Sequence, residues 1–191
     1  EIRDKYWNIE PGDTVVDVGA SYGSYTLTAC AMGATVIAFE PEPLVYKDLV
    51  ANLKLNGWHG TRAHTFPFGL WDETETEVSM ETYAPHWPKH TISGPYAVTT
   101  LDLVASMSRY YWSDLWKRLD WVKVDVEGAE EHVLRGALET IRRFKPKLLV
   151  ECHVFLDAGI KDRVKELLTG ANPEYRIEEI DRPPCVTLYV S

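Results

Sequence analysis

Cysteine is scarce in this 191-residue chain, and its three copies, Cys30, Cys152 and Cys185, lie far apart. An odd, sparse set with no close spacing excludes a disulfide framework and a zinc knuckle, and makes a reducing compartment the expectation. No apolar run approaches the roughly 18 residues needed to cross a bilayer, so no membrane partner is expected. No secretion signal is evident either, and a cytoplasmic location is the expectation. Positive charge is also in short supply: 20 Lys and Arg face 29 Asp and Glu, a formal net charge of −9. That argues against nucleic acid as a partner, because phosphate binding needs a basic surface. Internal repeats, linkers and low-complexity stretches are absent, and one domain over residues 1–191 is expected.

What is present is an ordinary globular composition, 45% hydrophobic and 26% charged, laid out as β-rich runs alternating with helix-like segments. The alternation predicts a doubly wound α/β fold, a mostly parallel sheet covered on both faces. Strands are predicted at 14–18, 35–39, 62–70, 121–126 and 147–152, with a short extra strand at 77–80. Helices are predicted at 24–32, stopped by Gly33, and from Pro43 to the Asn56-Gly57 pair. Others follow at 101–119, 129–144 and 160–168. The helix at 129–144 has a continuous apolar face of Val133, Leu134, Ala137, Leu138 and Ile141, with acids at its start and arginines at its end. Two final runs, 175–180 and 186–190, flank Pro183-Pro184 and predict an antiparallel hairpin. Residues 83–96, with three prolines and three aromatics, read as an irregular loop.

Glycines cluster where the first strand ends, in Asp17-Val18-Gly19-Ala20-Ser21-Tyr22-Gly23. A turn lacking Cβ atoms lets a ligand approach the backbone, and the helix that follows can present amides to an anionic group. Ser21 adds a hydroxyl. Glu40, about 20 residues beyond the turn at the end of the second strand, is placed to accept hydrogen bonds from two ribose hydroxyls. A dinucleotide site would need G-x-G-x-x-G. Gly19, Ser21 and Ser24 occupy those places, so two of the three glycines that admit a pyrophosphate are missing. S-adenosylmethionine carries no phosphate and tolerates the looser turn.

The run Lys123-Val124-Asp125-Val126-Glu127-Gly128-Ala129-Glu130, followed by Val133-Leu134-Arg135-Gly136-Ala137, resembles the FkbM family of methyltransferases. The resemblance extends to Val16-Asp17-Val18-Gly19-Ala20, Phe39-Glu40-Pro41, Thr100-Leu101-Asp102 and Leu149-Val150-Glu151-Cys152-His153, spanning about 14–155. It implies a Rossmann-like class I methyltransferase fold, seven strands closed by the C-terminal antiparallel hairpin. It also implies methyl transfer from S-adenosylmethionine, most often to a hydroxyl of a sugar or secondary metabolite and in some relatives to nitrogen. An NAD-dependent oxidoreductase and a non-catalytic cofactor-binding domain are the competing readings.

In such sheets ligands bind beyond the carboxyl ends of the strands, where Asp17, Glu40, Asp125, Glu151 and His153 fall. His153 is the candidate base, since an unperturbed imidazole titrates near pH 6.5. Asp125 is expected at the sulfonium or as the proton acceptor, and Glu127 near the substrate. Glu130 reads as a helix N-terminal acid. Asp17, Gly19, Ser21, Gly23, Glu40, Pro41 and Asp125 are the expected cofactor contacts, with the adenine at Gly69-Leu70 and Asp72 near its amino group. His86, Trp87, His90, Tyr110 and Glu151 are the candidate acceptor contacts, with Tyr111 and Trp112 beside them, and 83–119 is the expected specificity segment or lid. Asp125, Glu151 and His153 also have the donor types for a divalent ion. A histidine does not favour magnesium, and no metal is expected.

Overall fold

A computed structural model describes residues 5–74, 76–78, 96–111 and 116–191. In chain order the elements are β1 (Thr14–Val18), α1 (Ser24–Ala31), β2 (Thr35–Phe39), α2 (Pro43–Leu55), β3 (Ala63–Phe66), β4 (Gly69–Leu70) and β5 (Thr76–Val78). They continue with β6 (Tyr96–Thr99), α3 (Leu101–Tyr111), β7 (Trp121–Val124), α4 (Glu130–Arg135), α5 (Leu138–Phe144), β8 (Lys147–Cys152), α6 (Ile160–Ala171), β9 (Ile177–Arg182) and β10 (Cys185–Val190).

Seven of the strands form one sheet in the order β3-β2-β1-β7-β8-β10-β9. Each neighbouring pair from β3 to β8 is parallel, and β10 runs antiparallel to both β8 and β9. The alternation of side chains along each strand sends them to two cores. Val16, Val18, Val122, Val124, Leu148 and Val150 face α3, α4, α5 and α6. Val15, Val36, Trp121 and Leu149 face α1, α2 and the N-terminal Tyr6, Trp7 and Ile9. Such double coverage is why the strands read as near-continuous apolar runs. The C-terminal hairpin forms as expected, and Pro43 opens α2 with the Glu42 carboxylate capping the Val45 amide.

Several elements differ from the expectation. The run 62–70 is two strands. β3 ends at Phe66, Pro67 has no N–H to continue the ladder, and β4 pairs instead with β6 in a small sheet of order β4-β6-β5. Tyr96, expected in the loop, opens β6; the rest of that loop lies outside the described residues, as does the end of the strand expected at 77–80. α3 ends at Tyr111, residues 112–115 lie outside the described set, and Trp116 and Leu119 are buried beyond any helix. β7 stops at Val124, leaving Asp125 and Val126 in the following turn. The helix expected at 129–144 is two, α4 and α5, parted at Gly136-Ala137. There the Trp71 carbonyl packs directly onto the chain: a Cβ on Gly136 would lie 1.9 Å from Trp71 O. No helix among the described residues is long and apolar enough to cross a membrane.

Candidate active site

The strand order reverses between β1 and β7, which opens a crevice at their carboxyl ends where ligands of open α/β sheets bind. Glu40, Pro41, Ser21 and Gly69 approach it from one side, and Asp125, Glu127, Glu151 and His153 from the other.

On the first side, the Glu40 carboxylate is held at both ends. Oε2 accepts from the Ser21 N–H and Oε1 from the Glu42 N–H, each at 2.9 Å. The side chain is 8% exposed, and burial pushes its pKa up, against the two amides and Lys123, which lower it. Each oxygen keeps a second lone pair, so the group is oriented but still able to accept hydroxyls. Ser21 is exposed at a left-handed φ of 51°. Gly69 lies against Pro41, whose Cβ would be 3.8 Å from an added Cβ.

The turn itself is more internal than expected. Gly19 and Ala20 both donate to Phe39 O at 3.0 Å, Ser21 donates to Glu40, and Gly23 donates to Ala20 O. Those amides are spent within the protein and do not cradle an anion. Gly19 is required by the chain itself: a Cβ there would sit 1.9 Å from Asp125 O, at a φ of 74°. Gly23 precedes α1 and packs on Leu49. Asp17 is sealed inside, with Oδ2 accepting from the Thr26 hydroxyl at 2.6 Å and Oδ1 lying 3.3 Å from Lys123 Nζ. It braces the turn from beneath instead of facing a ligand. Leu70 points into the core. Asp72 pairs with His132 Nδ1 at 2.8 Å, and the His132 ring stacks on Trp71, so this carboxylate already has a protein partner.

On the second side, His153 follows β8 and is 3% exposed. Its Nδ1–H donates to Glu130 Oε1 at 2.6 Å, while Nε2 lies 3.3 Å from Glu127 Oε2 and 3.8 Å from Asp125 Oδ1. Burial alone lowers the imidazole pKa. The Glu130 hydrogen bond and charge, followed by Glu127 and Asp125, outweigh burial and push it up to about 9. The premise of an imidazole titrating near 6.5 therefore fails; three carboxylates hold the ring protonated at neutral pH. Glu127 sits at a left-handed φ of 53°, and burial raises its pKa while His153 lowers it. Glu151 pairs with Arg182 at 3.3 Å; burial and then Asp125 raise its pKa.

The donor set considered for a metal separates into two overlapping groups, Asp125–Glu127–His153 and Glu151–His153–Cys185, each with ligating atoms within 4.8 Å of one another. His153, common to both, pairs with Glu130, Glu127 and Asp125. His86, Trp87, His90 and Trp112, and the side chains of Tyr110 and Tyr111, lie outside the described residues.

Two participants escaped the sequence reading. Glu130 is 0% exposed and, besides His153, accepts from the Gly128 N–H at 3.0 Å. It opens α4 as the helix N-terminal acid expected, and it is also the buried anchor of the imidazole. Lys123 is 4% exposed, and its ammonium donates to Gly19 O at 2.7 Å. The signal for it was available: a lysine inside the buried strand Trp-Val-Lys-Val requires a buried partner.

The model of the methyltransferase FkbM domain matches residues 17–175. "Methyltransferase 1" of Beauveria bassiana (strain ARSEF 2860) is 28% identical over 162 residues, 70% of this chain and 63% of that protein. Methyltransferase sdnD of Sordaria araneosa is 26% identical over 196 residues, 84% of this chain and 73% of that one. The crystal structure of the FkbM methyltransferase from Methylobacillus flagellatus KT superposes with a TM-score of 0.71 at 19% identity. That match covers 94% of this chain and 44% of the other, so this chain spans less than half of that protein's length. A family match running from Asp17 in β1 to Tyr175, just short of β9, leaves only the ends of the chain outside it: this chain belongs to the FkbM family of methyltransferases.

Proposed function

We propose that the chain transfers a methyl group from S-adenosylmethionine to a hydroxyl of a small molecule, a sugar or a secondary metabolite. The observation that carries this reading is the convergence, across the strand-order reversal, of an oriented Glu40 carboxylate and a proton-handling cluster of His153, Asp125 and Glu127. When bound, the cofactor would supply an electrophilic methyl group on a sulfonium, with S-adenosylhomocysteine as the leaving group once the acceptor oxygen takes the methyl carbon. Glu40 holds the ribose hydroxyls through its remaining lone pairs. Asp125 faces the cationic end and Glu127 the acceptor. Pro41 and Gly69 would hold the adenine.

The acceptor's proton goes to His153. Glu130 occupies Nδ1, which leaves Nε2, the nitrogen facing Asp125 and Glu127, to receive it. Only the neutral ring can do so, so the rate is expected to rise with pH toward about 9. The surplus of acids at the rim and the net charge of −9 favour an uncharged acceptor over a nucleic acid.

Calorimetric titration with S-adenosylhomocysteine, with NAD in parallel, tests the cofactor. Saturable binding of S-adenosylhomocysteine alone is expected, and binding of NAD alone overturns the reading. Transfer of labelled methyl from S-adenosylmethionine to a panel of hydroxylated metabolites, their amino counterparts and RNA tests the acceptor class. The His153→Ala variant is expected to lose about a hundredfold or more in kcat; unchanged turnover at saturating substrate removes it from the mechanism.

A further inference from the structure

Lys123, buried in β7, takes no part in the proton path to His153. A buried ammonium is costly unless paired, and this one has four neighbours that offset its charge. Its Nζ donates to Gly19 O at 2.7 Å, lies 3.3 Å from Asp17 Oδ1 and 3.6 Å from Asp125 Oδ2, and sits 5.2 Å from the centre of the Tyr25 ring. These groups belong to different parts of the site. Gly19 is in the turn after β1, Tyr25 is in α1, and Asp125 follows β7 on the far side of the strand-order reversal. The Asp125 N–H to Val18 O bond (3.1 Å) already fixes the backbone there; Lys123 is what reaches the side chain.

We infer that Lys123 is a positioning residue of the cofactor site, locking the Gly19 turn to the Asp125 carboxylate across the crevice. The inference rests on the cofactor reading given above. A lysine present only to neutralise Asp17 would have no need of the Gly19 carbonyl or of Asp125, and Asp17 has a second partner of its own in Thr26. Held from below by Lys123, Asp125 keeps its other oxygen turned toward His153. One ammonium thereby sets the spacing between the two halves of the site.

Four proteins test this: the unmodified chain, Lys123→Met, Asp17→Asn, and the double variant, in which the unpaired acid is removed together with the base. Each is titrated calorimetrically with S-adenosylhomocysteine well below its melting temperature. Lys123→Met is expected to bind about tenfold or more weakly, the worth of a charge-assisted hydrogen bond. The double variant is expected to recover the melting temperature of Asp17→Asn yet bind as weakly as Lys123→Met. A double variant that binds like Asp17→Asn overturns the inference, because neutralising Asp17 would then be the lysine's whole task. If the unmodified chain fails to bind, the cofactor reading falls instead. Should the Lys123 variants not fold, the ammonium resonance of Lys123 in the unmodified protein gives the answer. A shift on adding S-adenosylhomocysteine is expected, and a resonance that stays in place overturns the inference.

Discussion

Replacing Glu130 with glutamine removes one negative charge from the His153 cluster and changes little else in shape. The carboxylate is fully buried and accepts from the His153 Nδ1–H at 2.6 Å. It contributes the largest of the effects that lift the imidazole from 6.5 to about 9. That lift corresponds to about 3 kcal/mol in favour of the charged ring, net of burial and shared among Glu130, Glu127 and Asp125. A charge-assisted hydrogen bond is worth roughly 1.5–3 kcal/mol, so Glu130→Gln is expected to bring the midpoint down by about one pH unit or more. The direct assay is NMR titration of the His153 ring, with kcat/KM against pH as the functional counterpart once an acceptor is known. Stability follows with a definite sign. A group whose pKa is higher in the folded chain stabilises it fully below the unfolded value of 6.5 and loses that contribution as pH rises through about 9. The unmodified protein is therefore expected to lose melting temperature across that window, and Glu130→Gln to lose less. A midpoint that stays near 9 in the variant, or moves up, would refute the assignment of Glu130 as the imidazole's anchor.

Other outcomes follow from geometry already given. Glu40→Gln places an amide NH2 against the Ser21 or Glu42 N–H and is expected to weaken S-adenosylhomocysteine binding about tenfold or more, read by calorimetry; unaltered affinity would remove Glu40 from the site. Gly136→Ala forces a Cβ to within 1.9 Å of Trp71 O and is expected to cost roughly 1–3 kcal/mol, measured by denaturant unfolding. An unchanged midpoint would mean that the joint between α4 and α5 yields freely.

The sheet was legible because strands buried on both faces declare themselves as apolar runs, and the order of helices and strands leaves few ways to wind them. The place of Glu40 at the end of β2, beside the Ser21 turn, was legible too, since it depends on a short stretch of chain. Long-range contacts were not. The apolar stripe from Val133 to Ile141 runs straight through Gly136, and nothing within 129–144 announces that the Trp71 carbonyl arrives there from another part of the chain. Glu130 has the sequence position of an ordinary helix N-terminal acid; what makes it an internal hydrogen-bond acceptor is a histidine 23 residues later, just past the end of β8. The high pKa of His153 is likewise a property of three acids converging, invisible in any one of them.

The position of β10 bears on how the protein comes into being. Although it is the last strand in the sequence, it lies inside the sheet, between β8 and β9, and its first residue, Cys185, sits beside Glu151 and His153. During synthesis β8 emerges with one edge unpaired, and it stays so until some 30 further residues have left the ribosome. The half of the sheet that carries Gly19 and Glu40 can assemble early, while the half that carries His153 waits for its neighbour. A nascent chain would thus set the turn that bears Gly19 and Glu40 before the edge that bears Glu151 gains its neighbouring strand.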